Sequence, residues 1–119
     1  MELPRQIVVG ERNMEHVGKF LESLSKPKKV SIVSGKNVKK IIGKKINDSL
    51  KRSKIRMVWH LAISNQVSTL KEIEKKVRND KSDLIIGLGG GRSVDVAKLC
   101  SFNLKIPFVS IPTMYLIHI

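Results

Sequence analysis

Short runs of β-branched residues alternate with helical stripes along this whole chain, and that alternation leaves few folds open. A compact apolar run suits a strand, whereas apolar residues at i, i+3, i+4 and i+7 suit a helix with one buried face. Gln6–Gly10 is apolar and closed by glycine, which predicts a first strand. Asn13 is placed to cap a helix in which Met14, Val17, Leu21 and Leu24 recur at helical spacing, with Pro27 beyond its end. Val30–Val33, ended by Ser34 and Gly35, predicts a second strand, and Asn37 the cap of a second helix. That helix carries a stripe of Val38, Ile41, Ile42, Ile46 and Leu50, with lysines between them on the solvent side. Ile55–Trp59 reads as a third strand, Ser64 and Asn65 open a helix striped by Val67, Leu70, Ile73 and Val77, and 80–83 is a polar turn. Leu84–Leu88 is almost continuously apolar, as suits a central parallel strand covered on both faces. A helix from Ser93 to about Asn103 and a fifth strand over Pro107–Pro112 complete the pattern.

Strands separated by single helices imply βαβ units, and so an α/β fold with a Rossmann-like parallel sheet and helices on both faces. The strand order is not written in this pattern. At 119 residues and 41% apolar content the chain is the size and composition of one globular domain.

Charge and cysteine narrow the partners. The net charge is +13, which admits either a nucleic-acid-binding surface or a solvated basic surface that favours an anionic ligand. The lysines are spread over several predicted helices and loops, and aromatic residues make up 4% of the chain, too few for stacking platforms; the anionic-ligand reading is preferred. The single cysteine, Cys100, can form no internal disulfide and falls beside Ala97 and Leu104 on a helix, as a small buried apolar residue would. Met1–Arg5 lacks the apolar run of a signal peptide, and no stretch has the length of a membrane helix, so a cytoplasmic protein without membrane insertion is expected.

Chemistry concentrates at Asp83–Leu99, where an apolar strand runs directly into Gly89-Gly90-Gly91-Arg92-Ser93 and then into a helix. Glycines let a backbone turn tightly and let a phosphate approach its N–H groups. The helix start adds unpaired N–H groups and a positive dipole end, so a pyrophosphate can be held there. The plainer reading of the glycines is a tight turn with no ligand. The dinucleotide fingerprint G-x-G-x-x-G fails, because Arg92 stands where the third glycine belongs. The Walker A pattern fails as well: only three residues separate Gly87 from Gly91, and Arg92 replaces the lysine. Ser93 is placed as N-cap, with Asp95 in the first helical turn; Asp95 either favours the dipole or shapes the loop. Lys98 is placed for a surface pair with Asp95, and Arg92 either reaches a phosphate or is solvated.

The segment Gly87-Leu88-Gly89-Gly90-Gly91-Arg92-Ser93-Val94-Asp95-Val96-Ala97-Lys98 resembles the GGG-x-x-x-D-x-A-K hallmark of the metal-dependent polyol dehydrogenase and dehydroquinate synthase superfamily. Within it the chain is most similar to the glycerol-1-phosphate dehydrogenase family, through Leu3-Pro4-Arg5 with Val8-Val9-Gly10, Ile32–Gly35 with Ile42-Gly43, and Ile106–Thr113. The resemblance implies a dehydroquinate synthase-like N-terminal domain over 1–113. It implies an archaeal, NADH- or NADPH-dependent reduction of dihydroxyacetone phosphate to sn-glycerol 1-phosphate for membrane-lipid synthesis. It further implies that Gly89, Gly90, Gly91, Arg92, Ser93, Val94 and Asp95 hold the cofactor pyrophosphate, and that Thr113 lies towards the nicotinamide. In the family a zinc polarises the carbonyl.

After Thr113 the similarity stops: Met114–Ile119 match nothing in the family pattern, and the helical domain that brings an aspartate and two histidines to zinc is not among these residues. A truncated or frameshifted product, inactive alone and with weak dinucleotide affinity, is expected on that basis, and a homo-oligomer is compatible with it. His16, His60 and His118 lack ligand spacing, so no metal site is expected from them, and no catalytic residue is assigned. Ser34-Gly35-Lys36 carries no acid to grip a ribose 2′-hydroxyl, and Lys36 is either a 2′-phosphate ligand or an ordinary surface lysine; the choice of NAD or NADP stays open. Alternatives are a part of glycerol dehydrogenase or dehydroquinate synthase, and a basic nucleic-acid-binding module.

Overall fold

The computed structural model describes residues 5–6, 11–64 and 66–111. In chain order it contains β1 (Arg5–Gln6), a 3₁₀ turn (Glu11–His16), α1 (Val17–Leu24), β2 (Lys29–Ser34), α2 (Lys36–Arg52), β3 (Arg56–Leu61), α3 (Val67–Asp80), β4 (Leu84–Leu88), α4 (Gly91–Leu104) and β5 (Phe108–Ile111). All pairings are parallel, and the order across the sheet is β1-β5-β4-β2-β3. The expected α/β architecture is present, and the fourth strand has the bounds its apolar run predicts. Residues 7–10 of the expected first strand and Pro112 of the fifth lie outside the described residues.

Parallel strands need helical crossovers, and these pack on both faces. Alternate residues of β4 divide between two cores: Leu84, Ile86 and Leu88 join Leu21 of α1 and Ile42, Ile46 and Leu50 of α2. Ile85 points the other way, to Ile73 and Val77 of α3 and Val96, Ala97 and Cys100 of α4. Each fully buried aliphatic side chain contributes about 1.5–3 kcal/mol.

Two glycines set how closely the layers approach. A Cβ on Gly18 would strike the Ser49 carbonyl oxygen of α2, so α1 and α2 meet backbone to backbone there. A Cβ on Gly87 would lie 3.1 Å from the Ala97 Cβ, the Val94 Cα and the Phe108 ring, so α4 sits directly on β4.

The helix starts differ from the sequence expectation. Asn13 lies inside the 3₁₀ turn, and α1 begins at Val17. The Gly18 N–H, one of the donors a cap would satisfy, instead donates to Ser49 Oγ at 2.8 Å, and that hydroxyl donates to the Glu15 carbonyl at 2.9 Å. The N-caps of α2 and α4 are Gly35 and Gly90, not Asn37 and Ser93, and neither helix has a side-chain cap. Helix α3 starts at Val67, with Ser64 Oγ accepting from the Gln66 N–H at 3.3 Å; Asn65 lies outside the described residues. Within the stripes, Ile41 is 55% exposed and Val67, the first residue of α3, is 65% exposed. His60 lies within β3 rather than after it.

Candidate cofactor site

Strands β2 and β4 are neighbours, paired from Val30 opposite Leu84 to Ser34 opposite Leu88. The helices that follow them pack on opposite faces, α2 in one core and α4 in the other. Their connecting loops therefore part at the carboxyl ends of the strands, and the crevice between them is where an open α/β sheet places ligands.

The glycine loop forms one wall of this crevice. Gly89 has φ 111°, a conformation that requires glycine, and its N–H donates to the Ile111 carbonyl at 3.0 Å, tying the loop to β5. The plain tight-turn reading thus accounts for Gly89. It does not account for its neighbours. Gly90 has φ −82° and ψ −176°, an ordinary extended conformation, and Gly91 is the first residue of α4. A Cβ on either would meet nothing within 4 Å.

Neither backbone strain nor crowding within the protein calls for glycine at these two positions. Among the described residues nothing accepts from the N–H groups of Gly90, Gly91, Arg92 and Ser93, the four donors that a helix start leaves over. The next amide, Val94, donates to the Gly90 carbonyl at 3.2 Å and begins the helical ladder. Of the residues the sequence singles out, Gly89 and Val94 therefore have occupied amides, and Val94 serves by packing beneath the loop.

Ser93 is the third residue of α4, and its side chain is buried beside Gly35: its Oγ lies 4.0 Å from where a Gly35 Cβ would stand. No protein partner for that hydroxyl occurs among the described residues. Arg92 is exposed and donates from its guanidinium to the Ile63 carbonyl at 3.1 Å, bridging the loops after β4 and β3. Asp95 lies past the first turn of α4, because the helix starts three residues earlier than the Ser93 cap implies. It is exposed, as is Lys98, and no ion pair joins the two among the described residues. Thr113 and His118 lie outside the described residues.

Opposite the glycine loop, a cleft of about 770 Å³ opens between Gly35, Lys36, Lys40 and Ile41 on one side and Ala62, Ile63 and Arg92 on the other. The helical stripe predicts Ile41 in the core, whereas Ile41 and Ile63 are both exposed and line this cleft. The usable signal was Lys36, Lys39 and Lys40 crowding a helix start.

Away from the crevice, His60 is buried with Nε2 3.1 Å from Ser31 Oγ, and that hydroxyl is 2.6 Å from Ser82 Oγ. Burial pulls the His60 pKa below its ordinary value against the opposing pull of the Asp80 carboxylate, and Lys76 adds to the lowering. Cys100 is buried, as expected, and burial together with the Glu74 carboxylate raises its thiol pKa to about 12. Among the described residues no three His, Cys, Asp or Glu side chains converge to hold a metal, so these residues do not fit a zinc site. No helix among them is long and apolar enough to cross a membrane.

Sequence comparison gives this crevice a family context. The sequence model of the iron-containing alcohol dehydrogenases matches residues 8–115. The chain belongs to the iron-containing alcohol dehydrogenase family. Among curated members, a glycerol-1-phosphate dehydrogenase (NAD(P)+) from Nitrosopumilus maritimus (strain SCM1) is 62% identical over 113 residues, 95% of this chain and 32% of that protein. One from Cenarchaeum symbiosum (strain A) is 50% identical over the same shares. The chain thus spans about a third of the length of these relatives. The fold recurs in the family's solved structures. Glycerol dehydrogenase from Schizosaccharomyces pombe superposes with a TM-score of 0.81 at 24% identity, covering 92% of this chain and 27% of that one. A 1,3-propanediol oxidoreductase gives 0.79 at 18% identity, covering 92% and 34%.

Proposed function

We propose that this chain is the NAD(P)-binding domain, residues 1–113, of an sn-glycerol-1-phosphate dehydrogenase of archaeal membrane-lipid synthesis. The observation that carries the proposal is the row of four amides at Gly90–Ser93 that nothing among the described residues claims, beside two glycines where a Cβ would meet nothing within 4 Å. Anionic oxygens accept well from such a row, and the α4 dipole adds attraction. Gly89 sets the turn, Ser93 offers a hydroxyl from the crevice floor, and Arg92 adds positive charge at its mouth.

When bound, the reduced nicotinamide supplies a hydride to the carbonyl carbon of dihydroxyacetone phosphate, and a proton completes the alcohol. The part of this domain is to hold and orient the dinucleotide. These residues span 32% of the length of the Nitrosopumilus relative. A cytoplasmic location fits this role. The names of the relatives at 62% and 50% identity favour this substrate over those of glycerol dehydrogenase or dehydroquinate synthase.

Calorimetric titration of the chain with NADPH and NADH tests the proposal. Saturable one-to-one binding of either, without turnover of dihydroxyacetone phosphate by these residues alone, is expected. Binding of neither, together with tight salt-sensitive DNA binding, would favour a basic nucleic-acid module instead.

A further inference from the structure

We infer that the edge of the sheet opposite the crevice is a docking face for an anionic lipid surface, held by the lysines of the four helix-to-strand turns. The inference is independent of the dinucleotide role. It leaves the crevice, at the carboxyl ends of the strands, facing away from the bilayer.

In a parallel α/β chain every helix-to-strand turn reaches the same edge of the sheet. Lysines scattered through the sequence are thereby gathered. The turns before β2, β3, β4 and β5 carry Lys26 and Lys28, Lys54, Lys81 and Lys105, Arg56 opens β3, and all six are exposed. These four strands are adjacent, in the order β5-β4-β2-β3. At about 4.8 Å between strands their turns span roughly 14 Å, and neighbouring turns lie within the screening length of about 8 Å at physiological salt. Among the described residues none of the six cations has an ion-pair partner. The acids nearby are engaged elsewhere or outnumbered. Asp83 Oδ2 accepts from the Lys28 N–H at 2.6 Å, and Asp80 lies 4.0 Å from His60 Nε2. Glu22 is the one carboxylate lining the shallow cleft it shares with Lys26, Lys28 and Lys54.

The backbone sets these lysines apart from ordinary surface charge. Lys26, Lys54, Lys81 and Lys105 have φ of 47°, 59°, 56° and 58°, and they are the non-glycine residues with positive φ among the described residues. Left-handed backbone after a helix favours glycine, yet a lysine stands in all four turns. The helix dipole does not require this. A cation in the last helical turn serves the dipole without strain, and Lys51, Arg52 and Arg78 already do so in α2 and α3. A plane fits the array better than a rod does. The turns follow helices of both layers, α1 and α2 on one face of the sheet and α3 and α4 on the other, so the cations cover an area instead of a stripe. A nucleic-acid duplex would meet one row of them, whereas a bilayer surface meets them all. The rim also carries an apolar ring: Phe102, in the last turn of α4 and three residues before Lys105, is 68% exposed, which suits the headgroup boundary.

Co-sedimentation of the full chain with lipid vesicles tests this. Binding is expected to vesicles of phosphatidylcholine mixed with phosphatidylglycerol at about 0.1 M salt, and its loss at about 1 M, where the screening length falls from about 10 Å to about 3 Å. Vesicles of phosphatidylcholine alone should not bind. Lys54→Gly, Lys81→Gly and Lys105→Gly together remove three charges at positions whose backbone favours glycine, so the variant keeps its fold. At about fivefold per charge, its partition to the anionic vesicles should fall roughly a hundredfold. Lys44→Ala, Lys71→Ala and Lys75→Ala, at exposed positions along α2 and α3, remove the same net charge and should lower the partition by less than about threefold. No binding to the anionic vesicles, equal binding to the neutral ones, or equal losses in the two variants overturns the docking face. So does a DNA duplex that binds more tightly than the anionic vesicles at equal phosphate concentration and is released by the same three glycines, because the face then belongs to nucleic acid.

Discussion

Replacing Gly90 and Gly91 together by alanine separates what the fold needs from what the ligand needs. A Cβ at either position meets no atom within 4 Å, and Gly90 already has an extended backbone that any residue adopts. Gly91 is the first residue of α4, where alanine is more favourable than glycine by up to about 0.5–1 kcal/mol. For a chain of 119 residues that gain corresponds to a melting temperature higher by roughly 2–4 °C. The dinucleotide should respond in the opposite direction. A phosphate oxygen must come within about 2.8 Å of an amide nitrogen, and the new methyl groups occupy that approach. Each charge-assisted hydrogen bond lost costs about 1.5–3 kcal/mol, so the dissociation constant should rise roughly tenfold to a hundredfold per bond. Differential scanning calorimetry and isothermal titration on the same preparation read both quantities. A double variant that binds NADPH as tightly as the parent refutes the amide cradle. One that melts several degrees lower refutes the claim that the fold has no use for these glycines.

Other sites give independent checks. Gly87→Ala places a methyl 3.1 Å from two α4 atoms that can yield only if the helix moves, and should destabilise by about 1–2 kcal/mol in a urea titration; an unchanged midpoint contradicts the close packing. Ser49→Ala removes the acceptor of the buried Gly18 N–H, and a loss of about 1–3 kcal/mol is expected by the same assay, against little change for an exposed serine such as Ser68. His60 has a folded pKa below its ordinary 6.5, so the unfolded chain takes up its proton first as the pH falls. Its contribution is therefore complete above pH 6.5 and lost as the pH drops from there through the lowered folded value. Thermal melts from pH 8 to 5 should show that slope, and His60→Gln should flatten it; an unchanged slope points to another group. Cys100, with its thiol raised to about 12 and its side chain buried, should react with a thiol-specific disulfide reagent only after unfolding; rapid labelling of the native chain contradicts its burial.

Much of this architecture is legible in local pattern. Leu84–Leu88 reads as a central strand because both of its faces are covered, and α1 and α2 on one side and α3 and α4 on the other do cover them. Capping is read less well. Sequence rules reward a side-chain oxygen, which favours Asn37 and Ser93, whereas α2 and α4 start from Gly35 and Gly90 with no side-chain cap. The helical period likewise cannot separate an apolar residue facing the core from one lining a cleft, which is why Ile41 joins the predicted stripe while standing 55% exposed. The adjacency of β2 and β4 is the least legible feature of all. It joins Ser34 to Leu88 across α2, β3 and α3, and only tertiary packing decides it, yet it brings the start of α4 beside the loop that carries Gly35.

The most direct measurement is a two-dimensional ¹H–¹⁵N NMR titration of the chain with NADPH. The amide signals of Gly90, Gly91, Arg92 and Ser93 should move furthest, and that of Gly89, held by the Ile111 carbonyl, should keep its hydrogen bond and move less. Saturable binding that leaves those four signals in place would contradict the account, because the dinucleotide would then be held somewhere other than the start of α4.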